Sequence, residues 1–294
     1  MPIRSFFCAF ALVAVLSAAA QSSAALPVVS LKTVLAASAP GADDPPFNLY
    51  RWDRFPSILV IDTADFALQD RMFSRLAFFL EKRGFRGRLL DNGELSKLHG
   101  WNAHDYGPQG LASFFNAAQR VDFPLNPEEV TLRDLALEEG IVTIVRDRFE
   151  PGVGGVISIS RSSSWIERRL LLTHESFHGI FFASPEYRAF CFQLWDSLDQ
   201  RTRRFFIAFL DQLGYDAGYR YLTVNEFQAY LMQQPIRFAP AYFERVAKRF
   251  APGENVPLRA IMNAAVRLND CLGSRFGIRA GGTIDASVAF GGSE

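Results

Sequence analysis

The stretch that most constrains this chain is Ser164-Trp165-Ile166-Glu167-Arg168-Arg169-Leu170-Leu171-Leu172-Thr173-His174-Glu175-Ser176-Phe177-His178-Gly179. Ser164 with Glu167 three residues on is a capping box, in which two side chains satisfy N–H groups left free where a helix opens. Ile166, Leu170, Thr173 and Phe177 then recur at spacings of three and four, which predicts a helix with one buried face. On that helix His174 and His178 share a side, so both imidazoles can converge on a single ion. The chain has four histidines, and two of them stand here. Zinc accepts neutral imidazole, and a catalytic zinc has three protein ligands and one open position. Glu175, one residue round from His174, sits beside such an ion without binding it. It is placed to act as general base on the water that zinc activates.

Composition narrows what surrounds this helix. With 294 residues, 49% of them hydrophobic and 14% aromatic, the chain can build a sizeable core. Formal net charge is zero and there is no basic block, which argues against a nucleic-acid partner. Mean hydropathy is near zero, and the lack of a later apolar run of about eighteen residues argues against a polytopic membrane protein. The start of the chain differs. Met1-Pro2-Ile3-Arg4 brings a positive charge, Ser5 to Ala20 is uncharged and apolar, and Ala18-Ala19-Ala20 or Ser23-Ala24-Ala25 offers small residues for cleavage. Residues 1–25 read as a secretory signal peptide, leaving a periplasmic or secreted chain with no membrane span. Cys8 lies too early in the apolar run for a lipoprotein anchor. Cys191 and Cys271 remain, able to pair in an exported protein or to stay as thiols buried in helices.

Residues 26–46, rich in Ala, Pro and Ser, read as a poorly ordered leader before one domain over 47–294. Ser57 to Asp62 is a β-branched strand, Phe66 to Arg83 a helix stopping at Gly84, and Arg86 to Leu90 a candidate second strand, together a β-α-β unit. Leu98 to Gly107 is a polar, aromatic loop holding His99 and His104. Pro108 to Arg120 and Pro127 to Glu139 are helical, and Ile141 to Val145 is a buried strand. After a glycine turn, Val156 to Ser160 alternates like an edge strand. Beyond Gly179 the pattern is helical: Pro185 to Leu213, Val224 to Gln234, Pro240 to Phe250 and Pro257 to Leu272, with a weak strand at Thr283 to Phe290. The fold class expected is α+β: an α/β lobe over about 47–178 and a helical lobe over about 179–294.

Two histidines leave zinc short of one protein ligand. The metzincin pattern fails, because Phe181 and Ser184 stand where its glycine and third histidine belong. Glu226, in Thr223-Val224-Asn225-Glu226-Phe227-Gln228-Ala229-Tyr230, is one candidate, since Thr223 can cap a helix with Glu226 in its first turn. Asp216, in Asp216-Ala217-Gly218-Tyr219, is the other. The two motifs His174-Glu175-x-x-His178 and Asn225-Glu226-x-x-Ala229-Tyr230 resemble the gluzincins, zincin metallopeptidases whose third ligand is a glutamate. The second is similar to the Asn-Glu-Gly-x-Ala-x-Tyr stretch of the aminopeptidase-type members, although their Gly-x-Met-Glu-Asn motif is absent here. The resemblance implies a zincin-like fold, Zn2+ on His174, His178 and Glu226, a peptide or protein substrate, and hydrolysis with Glu175 as general base. It also implies an oxyanion-stabilising tyrosine from the helical lobe; Tyr230, Tyr221 and Tyr219 are the candidates. Many gluzincins place an Asp four residues after the ligand Glu, to orient a zinc-bound His; here that residue is Tyr230. Val156 to Ser160 would then hold an extended substrate by strand addition. A non-catalytic zincin-fold protein with a structural zinc is the alternative.

Overall fold

The computed structural model describes residues 25–37, 41, 44–98, 100–250 and 256–284. The signal-peptide reading of residues 1–25 and most of the weak strand at Thr283 to Phe290 lie outside these residues, as does His99. In chain order the elements are β1 (Val28–Val29), α1 (Leu31–Leu35), β2 (Phe47–Trp52), β3 (Phe55–Thr63), α2 (Phe66–Glu81), α3 (Asn92–Leu95), β4 (Ala103–Tyr106), α4 (Pro108–Arg120) and α5 (Pro127–Glu138). There follow β5 (Val142–Val145), β6 (Arg148–Pro151), β7 (Gly155–Ser160), α6 (Trp165–Ala183), α7 (Pro185–Ser197), α8 (Gln200–Gln212), α9 (Arg220–Met232), α10 (Ala239–Phe250) and α11 (Leu258–Phe276). The fold is α+β.

One mixed sheet, in the order β1-β2-β3-β7-β4, organises the molecule. Side chains alternate across it with the strand period of two. Ile58, Val60, Ile157 and Ile159 join a core that continues through α6 and the C-terminal helices. Leu59, Ile61 and Val156 face the opposite way, into a second core with α2, α4 and α5. The sheet is therefore a middle layer, and α6 lies across one face of it. Each Phe that α6 buries there, Phe177 and Phe181 among them, contributes about 1.5–3 kcal/mol relative to exposure.

The start of α6 is fixed twice. The Ser164 side chain accepts from the Glu167 N–H while the Glu167 carboxylate accepts from the Ser164 N–H, the capping box read in the sequence. Arg168, buried, donates to Asp62 Oδ1 on β3 at 2.8 Å and to the Val34 carbonyl of α1 at 2.7 Å. The expected buried stripe holds only in its lower half. Thr173 and Phe177 are buried, but Ile166 is 74% and Leu170 49% exposed. The covering helix α9 ends opposite His174, where Gln233 meets the ring, so the first two turns of α6 project past it.

Several expectations are corrected. Val156 to Ser160 is not an edge strand: β7 pairs in parallel with β3 and antiparallel with β4. Its alternating serines suggested a wet face, but Ser158 is buried and accepts from Gln69 Nε2 on α2 at 3.1 Å. The edge is β4, inside the stretch read as a loop. Arg86 to Leu90 forms no strand, because Gly84 and Gly87, both at φ +80, coil the chain through turns. The β-α crossover from β3 leads instead to β7. Ile141 to Val145 is not a buried strand; β5 forms an outlying hairpin with β6 and is exposed from Thr143 on. The long helix Pro185 to Leu213 is two helices, α7 and α8, since Asp199 caps a new one. The leader carries structure too: β1 pairs with β2, and Leu31, Val34 and Leu35 are buried in the main core. Cys191 and Cys271 are both free thiols, Cys191 buried. Among the described residues no helix is long and apolar enough to cross a membrane.

Candidate metal centre

Three elements, α6, α9 and β4, meet at the second and third turns of α6 after Leu170. His174 and His178 project from α6 with their Nε2 atoms 3.1 Å apart. Glu226, from the helix α9 that crosses α6, brings Oε2 to 3.6 Å from His174 Nε2 and 3.8 Å from His178 Nε2. All three are buried, with His178 at 0% and Glu226 at 2% exposure. Ligand atoms about 2.0–2.1 Å from a tetrahedral zinc stand about 3.3 Å from one another, so this triangle is close to the required size. The Glu226 Oε2 atom is buried without a hydrogen-bond partner, which is costly unless a cation answers it. Donor set, spacing and orphaned oxygen all fit a divalent ion.

The outer face of the His174 ring is held by a hydrogen bond, whereas His178 Nδ1 has no hydrogen-bond partner and faces a carboxyl. His174 Nδ1 lies 3.0 Å from Gln233 Oε1, so the amide oxygen accepts from Nδ1–H and leaves Nε2 with a free lone pair. His178 Nδ1 faces Asp105 Oδ1 at 3.5 Å, and Asn225 Nδ2 donates to that same oxygen at 3.2 Å. Burial lowers the pKa of His178, which Glu226 only partly offsets, so the ring is a neutral donor. Burial alone would raise Glu226, but the imidazoles of His178 and His174 beside it, and then Lys82, outweigh it and its pKa falls.

Glu175 is 5% exposed and shares a hydrogen bond with the Asp105 carboxyl. Its pKa is raised by burial and then by the charges of Asp105, Glu226 and Glu81. Asp105 is pushed up to about 8 by burial and then by Glu226. Two carboxyl groups thus stand next to the face of α6 that carries His174 and His178: Glu175 from the helix, Asp105 from the sheet edge. Asp105, Glu175 and His178 also bring potential ligand atoms within 4.8 Å of one another.

No family model, curated protein or solved structure matches this chain.

Of the residues singled out in the sequence, His174, His178 and Glu226 come together with Glu175 alongside. Glu226 arrives by a different route than expected. Thr223 does not cap its helix: α9 begins at Arg220 behind Tyr219, Thr223 Oγ1 donates to the Ala217 carbonyl at 2.9 Å, and Glu226 sits near mid-helix. Asp216 stays away from the histidines, 4.0 Å from Arg86. Tyr230 follows Glu226 by one turn; its ring centroid is 4.7 Å from that of His174, and its hydroxyl hydrogen-bonds Tyr215. Tyr219 and Tyr221 instead line a neighbouring cleft. His104 faces the opposite side of the sheet, stacked on Phe73 at 5.1 Å with Nδ1 3.0 Å from the Tyr106 hydroxyl. Burial, then Lys82, holds its pKa down to about 3.

Sequence reasoning missed Asp105, Gln233, Tyr215 and the Glu81–Lys82 pair. Lys82 Nζ lies 3.5 Å from Glu81 Oε2, over the rings of Trp101 at 3.5 Å and Tyr215 at 3.9 Å. The one available signal was the alternation Ala103-His104-Asp105-Tyr106, which puts Asp105 and His104 on opposite faces if the segment is a strand.

Proposed function

We propose that this chain is a zinc metallopeptidase of the gluzincin type with a zincin-like fold, acting outside the cytoplasm on peptide bonds. The observation that carries the reading is the convergence of His174 Nε2, His178 Nε2 and the unpartnered Glu226 Oε2 with Glu175 beside them. Bound there, zinc would supply a Lewis acid for the scissile carbonyl and lower the pKa of a water toward neutrality. Glu175 takes the proton of the attacking water and delivers it to the leaving amine nitrogen. Gln233 keeps the His174 imidazole in the Nδ1–H tautomer, and Asp105, 3.5 Å from His178 Nδ1, is placed to do the same for the second ring on a small approach. Tyr230, with Tyr215 behind it, offers a hydroxyl to the oxyanion that develops on the carbonyl. The outer edge of β4, rather than β7, is where an extended peptide would add as a further strand.

The depth of the site favours a second reading, a closed structural zinc, since His174, Glu175, His178 and Glu226 are each under a tenth exposed. Glu175→Gln separates the two. Under the peptidase reading the zinc-loaded variant loses turnover of a fluorogenic peptide library by about 100-fold or more and keeps its zinc. Absence of peptidase activity in the loaded wild-type chain, or full activity in the variant, would overturn it. Export rests on residues 1–25; N-terminal sequencing of the mature protein should find a start between Ala20 and Leu26, and an intact Met1 on soluble protein would contradict it.

A further inference from the structure

Beside the His174, His178 and Glu226 cluster lies a cleft of about 200 Å³, whose lining includes Asp105, Asn225 and Arg86. Asp105 and Asn225 are the residues that meet behind His178, so the cleft begins at the cluster. Its walls are apolar and aromatic, Leu80, Phe182 and Tyr221 among them. Pockets for drug-sized ligands run to about 300–1,000 Å³, so this one suits a single residue at the end of an extended chain.

Arg86 is the one cationic side chain among the described residues that line the cleft. It stands on the turn after α2, which is tied down by backbone bonds: Arg86 N–H to the Lys82 carbonyl at 3.1 Å, Arg83 N–H to Gly214 at 3.0 Å, and Asp216 N–H to Glu81 at 2.6 Å. The guanidinium carbon sits over the Tyr219 ring, 3.6 Å from its centroid. Such a contact restrains the group and leaves its N–H donors available at the edge. Among the described residues no carboxylate comes closer to it than Asp216, at 4.0 Å, beyond hydrogen-bond length. Its side chain is 41% exposed. Glu81, the other carboxylate in this cleft besides Asp105, is answered by Lys82. A planar, oriented guanidinium with free donors matches one chemistry best, a carboxylate held bidentately.

We propose that this cleft is a carboxylate-binding subsite of the peptidase, in which Arg86 receives the anionic group of the residue that enters it. The proposal rests on the peptidase reading for its biological sense, but not for its test. Two sources carry the same chemistry, a free C-terminal carboxylate and an Asp or Glu side chain.

The test measures binding rather than turnover, with the full chain carrying Glu175→Gln and isothermal titration of four probes. These are acetyl-pentaalanine as free acid and as amide, and that amide with its last alanine replaced by Glu or by Gln. The free acid or the Glu amide, according to source, should bind about tenfold tighter than its neutral counterpart. Arg86→Gln should erase that preference and Arg86→Lys should keep part of it; unchanged thermal unfolding of both variants excludes misfolding. Equal binding of acid and neutral probes, no binding of any probe, or an undiminished preference in Arg86→Gln would overturn the proposal. An acid preference with no hydrolysis by the wild-type chain supports the subsite while removing the peptidase. Hydrolysis without acid preference does the reverse.

Discussion

Asp105→Asn is a sharp probe of the metal centre, because it changes charge while nearly preserving shape. Asp105 Oδ1 accepts from Asn225 Nδ2 at 3.2 Å and stands 3.5 Å from His178 Nδ1, in ion-pair range of the ring. An Asn whose amide oxygen occupies the Oδ1 position keeps an acceptor for both. Without metal the pKa of that carboxyl is held up to about 8; a bound cation favours its ionised form, and what the variant removes is that charge behind the ring, which raises the basicity of Nε2 toward a metal. Partners of this kind are worth about 10–100-fold in metal affinity, equivalent to about 1.4–2.7 kcal/mol. The metal-free fold should not weaken, since a neutral amide is cheaper to bury than a carboxylate. The variant should therefore bind zinc about 10–100-fold more weakly in a competitive chelator titration, at one zinc per chain, with metal-free thermal stability equal to or above wild type. Affinity within twofold of wild type would refute the buttressing role. Complete loss of stoichiometric zinc would refute it in the other direction, making Asp105 a ligand with Glu175 and His178.

Arg168→Ala strands Asp62, which is 0% exposed, and removes the donor to the Val34 carbonyl. Breaking a buried pair this way costs about 3–5 kcal/mol, readable by urea denaturation, and a loss under 1 kcal/mol would show that the pair does not anchor α6. Gly155→Ala places a Cβ 2.7 Å from Phe182 Cδ2 and 3.0 Å from the Tyr106 carbonyl. Overpacking of this kind costs about 1–3 kcal/mol, and an unchanged denaturation midpoint would mean that β4 and α6 separate freely.

The helix that carries the histidines was legible residue by residue, because its signals are local: a capping box at Ser164 and Glu167, and ligands four residues apart. Glu226 was legible as a residue but not as geometry, since the turn at Asp216 to Tyr219 moves the helix start ahead of Thr223. Asp105 and Gln233 could not be found, because their roles depend on contacts across 73 and 59 residues of chain that no local pattern records. The serines of β7 misled for a related reason: Ser158 alternates as if wet, but Gln69 from another element satisfies it. Ile166 and Leu170 show the converse error, apolar periodicity continuing beyond the end of the helix that would cover it. The short edge strand β4 carries too few residues for its alternation to stand out from a polar loop.

The central claim is that His174, His178 and Glu226 hold one divalent ion between them. Metal analysis of the purified, dialysed chain beside His174→Ala, His178→Ala and Glu226→Ala tests it most directly. One zinc per wild-type chain is expected, with stoichiometric metal lost in both histidine variants, and zinc lost or bound at least about 100-fold more weakly without Glu226, because a carboxylate ligand contributes charge as well as coordination. A wild-type chain that binds no divalent metal under any loading condition, or three variants that all retain it fully, would contradict the account.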